Sequence, residues 1–517
     1  MIPSSHNEVN RFQRAFAALP QEARDLVDAD TLDSILGAAA RIADDVLAPL
    51  DEGADRQGCR VENGRVKTPA GYREAFAAVT EGGWIGLDQP EDYGGSALPI
   101  LLRAITTALF DRAGLAFGMS TGATISGAAL LAEHAPADVA QDWIPALIAG
   151  ERTTTICISE SDAGSDVGRM GTRAERDGDE WHIHGNKQWI SFGDHDLTDR
   201  IGHCLLARTG DAPGGFGLSL FLVPSTFEDG SRNAISLIRI EEKLGLHGSP
   251  TCALSFDGAR ATLLGTPARG LSQLFTMISV MRLQVACQGL ACAARATEIS
   301  EDYAAERLQG GDPKAPPVAI SSHPDVQRQL RWMRGQTEAL RAVVMQLASS
   351  MDAGKTDPHA AALAQLLLPL AKSHGSEIGF DVTNAGIQVL GGAGYTRDWP
   401  LEQALRDIRV AAIYEGTTGM QAIDFVERRL IREPQGFDAF VVVASGPLVD
   451  RFVALVAELR AAAPSNRLAA ADAVLRAGWL AVVDWLGPRL PEDAGAVTED
   501  MADLFTLHEA RARRALK

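Results

Sequence analysis

Apolar residues recur at helical spacing from Thr31 to about Gly150, as in Leu32, Ile35, Leu36 and Ala39, with turn clusters at 62–64 and 93–96. A helical N-terminal domain is predicted. Between Thr153 and about Gly265 the pattern changes to short β-rich runs, 153–158, 181–183, 203–207, 218–223 and 252–256, separated by Gly, Asp and Pro. This predicts a β-barrel or sandwich between helical parts. Long periodic stretches return at 271–307, 324–353, 359–389 and 413–432, as in a helical bundle. The Gly- and Pro-rich stretch 309–323 reads as a surface crossover between two of these helices.

Beyond Pro434, the stripe Leu448, Phe452, Leu455, Val456 and Leu459 marks an amphipathic helix, and another follows Pro464. Such stripes are usually core, so packing or subunit contact is favoured here over substrate selection. The fold class is therefore α+β, mainly α, divided as 1–152 (helical), 153–265 (β), 266–433 (four-helix bundle) and 434–517 (helical extension).

A chain of 517 residues with 46% hydrophobic and 22% charged residues exceeds what one core usually serves. Its net charge of −19 disfavours a nucleic-acid partner or an anionic membrane, so any site for a phosphorylated ligand must be a local basic patch. Six cysteines without a Cys-x-x-Cys suggest neither a zinc site nor a disulfide framework, and fit a reducing cytoplasm. The acidic N-terminal stretch containing Glu8, Glu22 and Asp25 lacks a signal-peptide pattern, and no export is expected. The most apolar stretch, 363–371, is broken by Gln365 and Pro369, so no transmembrane helix is expected.

The segment 410–421 reads Val-Ala-Ala-Ile-Tyr-Glu-Gly-Thr-Thr-Gly-Met-Gln. It sets Glu415 between an apolar run and a residue with no side chain. A carboxylate flanked by Ile413, Tyr414 and Gly416 is poorly solvated, so its basicity rises while the open backbone admits a substrate. Two other readings compete elsewhere. Gly118-Met119-Ser120-Thr121-Gly122 fits a nucleophile elbow and would make a Ser120 thioesterase, but small residues at helical spacing surround it and no apolar strand leads in. His182 and His184 alternate on a predicted strand, with no third metal ligand at suitable spacing.

Cys-Ile-Ser-Glu-Ser-Asp-Ala-Gly-Ser-Asp at 157–166 and Lys-Gln-Trp-Ile-Ser-Phe-Gly at 187–193, taken with Ile-Tyr-Glu-Gly-Thr, resemble the acyl-CoA dehydrogenase family. The resemblance runs from about Leu32 to about Leu430. Segments 47–60, 81–95, 193–208 and 246–252 are similar to its long branch, the 3-methylmercaptopropionyl-CoA dehydrogenase type.

The resemblance implies a helical domain, a β-barrel domain and a helical bundle, with FAD as the cofactor and Glu415 as the catalytic base. Ser159 and Ser191 would hydrogen-bond the flavin edge, flanked by Ile156, Ile158 and Ile190, and Trp189 would pack on the ring. The turn with Ser165 would contact FAD and the thioester arm. Arg307 would reach the FAD pyrophosphate of a neighbouring subunit, and Gln388, Gly391, Gly392, Thr417 and Gly419 would complete the cofactor contacts. Arg282 and Gly416 would face the acyl-CoA. The Glu415 amide would help polarise the thioester carbonyl. The sequence departs from the family at Glu160-Ser161-Asp162, where Glu-Pro is usual, at Gly419, where many short enzymes have Gln, and at Ser279, where they have Asp.

The expected reaction is α,β-desaturation of an acyl-CoA, with short, branched or 3-methylthiopropionyl groups favoured. An electron-transfer flavoprotein or a similar acceptor would take the electrons. A homodimer or tetramer is expected, with no nucleic acid, membrane or metal. A flavin oxidase of the same fold shares this chemistry. A nucleic-acid-binding flavoprotein of this fold would carry a Lys/Arg-rich C-terminal region, of which only the few basic residues in 511–517 are present.

Overall fold

The computed structural model describes residues 2–494 and 496–517. The chain forms two compact units, each assembled from separated stretches: Met1–Arg41, Pro99–Ala113 and Arg282–Lys517 make the first, and Ile42–Leu98 and Gly114–Met281 the second.

The first unit is helical. Its long helices have local start and stop signals. Pro358–Leu390 opens with the Asp357 carboxylate accepting the His359 N–H at 2.9 Å and with proline at its first position, and ends at Gly391, φ +61°. Pro324–Ala353 likewise opens on proline and ends before Gly354. Gly270–Glu306 and Pro358–Leu390 meet at Gly289 and Gly375: a Cβ on Gly289 would lie 1.9 Å from the Gly375 carbonyl oxygen. Only glycine permits this approach, and Arg282 and Lys372 lie seven and three residues before the contact on their helices.

The stretch 413–432, expected as one helix, is instead broken. A 3-10 turn, Arg409–Ala412, leads into the turn at 413–417, then a short helix, Thr418–Ile423, and a π-helix, Asp424–Arg432. Positive φ at Glu415 (+54°) and Gly416 (+89°) is incompatible with a right-handed helix. A further short helix, Leu401–Ile408, lies where no separate element was expected. The stripe at 448–459 forms the helix Pro447–Ala461 and the next is Pro464–Leu486, with Gln435–Val443 and Ala496–Leu516 on either side. Trp479 stacks on His374 at 4.6 Å, and Arg476 pairs with Glu377 at 2.9 Å. The extension thus packs along the helix that carries Lys372.

The second unit joins helices to a barrel. Its strands are β1 Arg60–Glu62, β2 Arg65–Lys67, β3 Arg152–Cys157, β4 Arg173–Asp177, β5 Glu180–Ser191, β6 Arg200–Arg208, β7 Leu218–Pro224, β8 Ile235–Ile240 and β9 Thr251–Leu264. The hairpin β1–β2 turns on Asn63 and Gly64, both with positive φ. In the seven-stranded sheet, β6, β4, β5, β9 and β7 pair in turn and β7 returns to β6, which closes the ring; β3 runs parallel to β6, and β8 lies on β9. The alternation along β6 sends Leu205 and Ala207 into a core with Ile183, Phe221, Leu254 and Phe256. Cys204 and Leu206 point the other way, towards Leu131, Trp143, Ile144 and Leu147 of the helices Leu115–His134 and Ala137–Ile148.

The barrel and the flanking helical elements match the expected fold class. One expectation needs correction: stretches long and apolar enough to span a membrane do occur, outside 363–371. Leu115–His134 and Gly270–Glu306 are long and apolar enough to cross a membrane by length and composition, yet 83% of each apolar window is buried within the protein. They are core helices. All six cysteines are free.

Candidate active site

In the first unit, Glu415 sits on a turn whose left-handed backbone is uncommon for any residue but glycine. It is partly buried, and burial raises its pKa; the Arg282 guanidinium and the Lys372 ammonium oppose that rise. Arg282 Nε donates to the Glu415 carbonyl at 3.4 Å and its Nη1 lies 3.5 Å from Asp424 Oδ2. Lys372 is fully buried and its Nζ donates to the Gly416 carbonyl at 2.6 Å. Gln421 Nε2 donates to the Glu415 carbonyl at 2.8 Å and to the Gly416 carbonyl at 3.4 Å. Tyr414 donates its phenol proton to Gln288 Oε1. Among the described residues, the N–H groups of Glu415 and Gly416 donate to no other backbone group.

These features set a partly buried carboxylate of raised pKa in the field of two cations, on a turn whose amides make no backbone hydrogen bond among the described residues. Lys372 and Gln421 were missed in the sequence. The only signal for Lys372 is a single cation in the otherwise apolar run Leu-Leu-Leu-Pro-Leu-Ala-Lys at 366–372.

Thr417 caps the helix Thr418–Ile423, its hydroxyl accepting the Met420 N–H at 3.3 Å, and Gly419 is exposed on that helix. Gln388, Gly391 and Gly392 form the exposed end of Pro358–Leu390, and a Cβ on either glycine would meet nothing within 4 Å. Arg307 ends Gly270–Glu306, exposed and without an ion pair among the described residues.

In the second unit, Ile156 lies on β3 and Ile158 and Ser159 follow it directly. Ser159 accepts the Gln188 N–H at its carbonyl, 2.9 Å, which lays it beside β5. The β5–β9 pairing slips between Lys187 and Ile190, and this bulge sets Trp189 at φ +66° with 57% of its surface exposed. Ile190 turns into the core and Ser191 is partly buried. Lys187, fully buried, ties the two segments: its Nζ donates to the Ile158 carbonyl at 2.9 Å and to Glu160 Oε1 at 2.9 Å. Glu160 also accepts the N–H groups of Gly171 and Thr172, at 2.6 and 3.1 Å. Ser165 is exposed on the adjacent turn.

In this unit the hydroxyls of Ser159 and Ser191 have no partner among the described residues and an indole stands exposed, a set that suits a flat, hydrogen-bonding cofactor. In the first unit, two glycines leave open space beside a helix end.

Ser120 is no elbow nucleophile. It lies buried within Leu115–His134 and its hydroxyl donates to the Phe117 carbonyl at 2.8 Å. His182 and His184 both lie on β5, as expected.

Segments 47–60 and 246–252 interlock. Cys59 N–H donates to the His247 carbonyl at 3.1 Å, Cys59 Sγ–H to the Gly248 carbonyl at 3.3 Å, and His247 Nδ1 lies 2.8 Å from Asp55 Oδ1.

The family models for the acyl-CoA dehydrogenase N-terminal, middle and C-terminal domains match residues 30–151, 155–259 and 268–431. The chain is 34% identical over 485 residues to the 3-methylmercaptopropionyl-CoA dehydrogenase of Ruegeria pomeroyi, covering 89% of this chain and 80% of that protein. It is 34% identical over 442 residues to the broad-specificity linear acyl-CoA dehydrogenase FadE5 of Mycobacterium tuberculosis, covering 79% and 71%. Among solved structures, an acyl-CoA dehydrogenase from Bacillus anthracis complexed with FAD superposes with a TM-score of 0.76 at 20% identity, covering 96% of this chain and 88% of that one.

Proposed function

Since this chain belongs to the acyl-CoA dehydrogenase family, we propose that Glu415 is the base that removes the α-proton in its FAD-dependent desaturation of acyl-CoA. The observation that carries this reading is the setting of Glu415: partly buried, raised in pKa, held on a left-handed turn and facing two cations.

A thioester α-proton is weakly acidic, so the base must be strong when ionised and the carbonyl must be polarised as charge develops. Burial supplies the first. The N–H groups of Glu415 and Gly416 supply donors for the second. Bound FAD supplies the hydride acceptor for the β-carbon. For this group, Ser159 and Ser191 offer hydroxyls, Trp189 a face, Ile156, Ile158 and Ile190 backbone and apolar contacts, and Ser165 a further hydroxyl. Gln388, Gly391, Gly392, Thr417 and Gly419 offer a glycine-lined approach. Arg307, without an ion pair among the described residues, would serve a neighbouring copy's pyrophosphate, so a homodimer at least is proposed. Arg282, 8% exposed, and Gly416 would meet the acyl-CoA.

The acyl group proposed is short, branched or 3-methylthiopropionyl, and an electron-transfer flavoprotein or similar acceptor would receive the electrons. Support for the acyl group comes from the interlocked segments 47–60 and 246–252, which carry the likeness to the long branch. The test is kcat/KM across acyl chains of three to sixteen carbons with the methylthio analogue included; neighbouring lengths should differ modestly, since one methylene is worth about 1–3 kcal/mol. An optimum at twelve carbons or longer would overturn the acyl assignment.

A further inference from the structure

Two successive left-handed residues turn the carbonyls of Glu415 and Gly416 out of any helix, so side chains must satisfy them. Four hydrogen bonds from three helices do so. Arg282 and Gln421 hold the first carbonyl, Lys372 and Gln421 the second. In a trans peptide the N–H points away from the C=O. Fixing the Glu415 oxygen therefore aims the Gly416 N–H, and fixing the Gly416 oxygen aims that of Thr417. Among the described residues Gln421 Oε1 is buried with no partner, so its two carbonyl acceptors orient this amide.

Charge adds a second constraint. The groups that act on Lys372 are Glu415, Arg282 and Glu377. Arg282 shares its charge with Asp424, and Glu377 is paired with Arg476. Of the charges that favour the Lys372 ammonium, Glu415 contributes most.

We propose that Lys372 is a positioning residue for the reaction at Glu415. Bonded to the Gly416 carbonyl, it fixes the left-handed turn together with Gln421, and as a buried cation in the same site it favours the ionised form of the base. This rests on Glu415 being the base. Burial, opposed by Glu415 and aided by Arg282, brings the Lys372 pKa down to about 7. The cation lowers the Glu415 pKa, and removing it must raise that pKa and move the acidic limb to higher pH.

The experiment is anaerobic bleaching of the FAD-loaded enzyme by the best acyl-CoA of the chain-length series, with the rate followed against pH. Wild type and Glu415→Gln come first: bleaching by the first and not by the second tests the base itself, separately from Lys372. Lys372→Gln keeps a donor but drops the charge, and its acidic limb should rise by about one pH unit with the maximal rate down about tenfold. Lys372→Arg should return the limb to the wild-type position. Gln421→Leu should lose about tenfold in rate with the limb unmoved. A Lys372→Gln limb that coincides with wild type overturns the charge role. Should that variant not fold, a displaced limb in Lys372→Arg overturns the same role, and a wild-type rate in Gln421→Leu overturns the pinning.

Discussion

Lys187 and Glu160 form a buried ion pair, Nζ to Oε1 at 2.9 Å, that joins the strand bearing Trp189 and Ser191 to the loop bearing Ser159. Burial pushes the Glu160 pKa up, but Lys187 together with the Thr172 and Gly171 donors more than offsets it, and the net shift is downward. A depressed carboxylate contributes stability above its unfolded pKa and loses it as pH falls through the folded one. Lys187→Met strands this carboxylate and should cost about 3 kcal/mol at pH 7.5, measured by denaturant unfolding. The difference from wild type should shrink as pH falls below the ordinary carboxylate value of 4.5. An undiminished difference in acid would remove the pair as its cause.

Trp189 holds a positive φ while more than half exposed, so its conformation is strained and its burial is small. Trp189→Gly should relieve about 1 kcal/mol of backbone strain, leaving the apo-protein at least as stable, while FAD affinity falls tenfold or more, about 1.4 kcal/mol. Thermal melting of the apo-protein and FAD titration read the two effects separately. Unchanged FAD affinity would place the flavin face elsewhere.

Gly416 admits no side chain. A Cβ there would lie 2.8 Å from Gln421 Nε2 at φ +89°. Gly416→Ala should lower kcat by about ten- to a hundredfold, through displaced amides, while global stability falls by only about 1–2 kcal/mol. Steady-state kinetics and unfolding on the same preparation separate the two. A large stability loss with normal kcat in the folded fraction would contradict this role for the turn.

Arg307 has no ion pair among the described residues, so Arg307→Gln should change subunit stability by less than about 0.5 kcal/mol. FAD should nonetheless be lost on dilution. Light scattering should give a mass of at least two chains for the wild type; a fully loaded, active monomer would contradict a shared pyrophosphate site.

The barrel was legible where strands are continuous apolar runs, as at 203–207 and 218–223. β4, Arg-Ala-Glu-Arg-Asp, has one apolar residue in five and does not stand out from a loop, whereas β8, Ile-Ser-Leu-Ile-Arg-Ile, carries an apolar pattern that was missed. The helix break at 413–417 was hidden because Ile413 continues an apolar period and positive φ at Glu415 has no compositional mark. Glu415 was singled out as an acidic residue between apolar side chains and a glycine, and the family resemblance gave that local feature its weight. Lys372 and Lys187 were not: each is one cation in a buried element, and its meaning comes from the distant carbonyl or carboxylate that the fold brings to it.

The most direct measurement is anaerobic flavin bleaching by acyl-CoA in Glu415→Gln, which keeps the side chain's shape and removes its basicity. If Glu415 is the base, the variant binds FAD and acyl-CoA as the wild type does, and its bleaching rate falls by several orders of magnitude. Bleaching at a near-wild-type rate would contradict it and assign proton abstraction to another group.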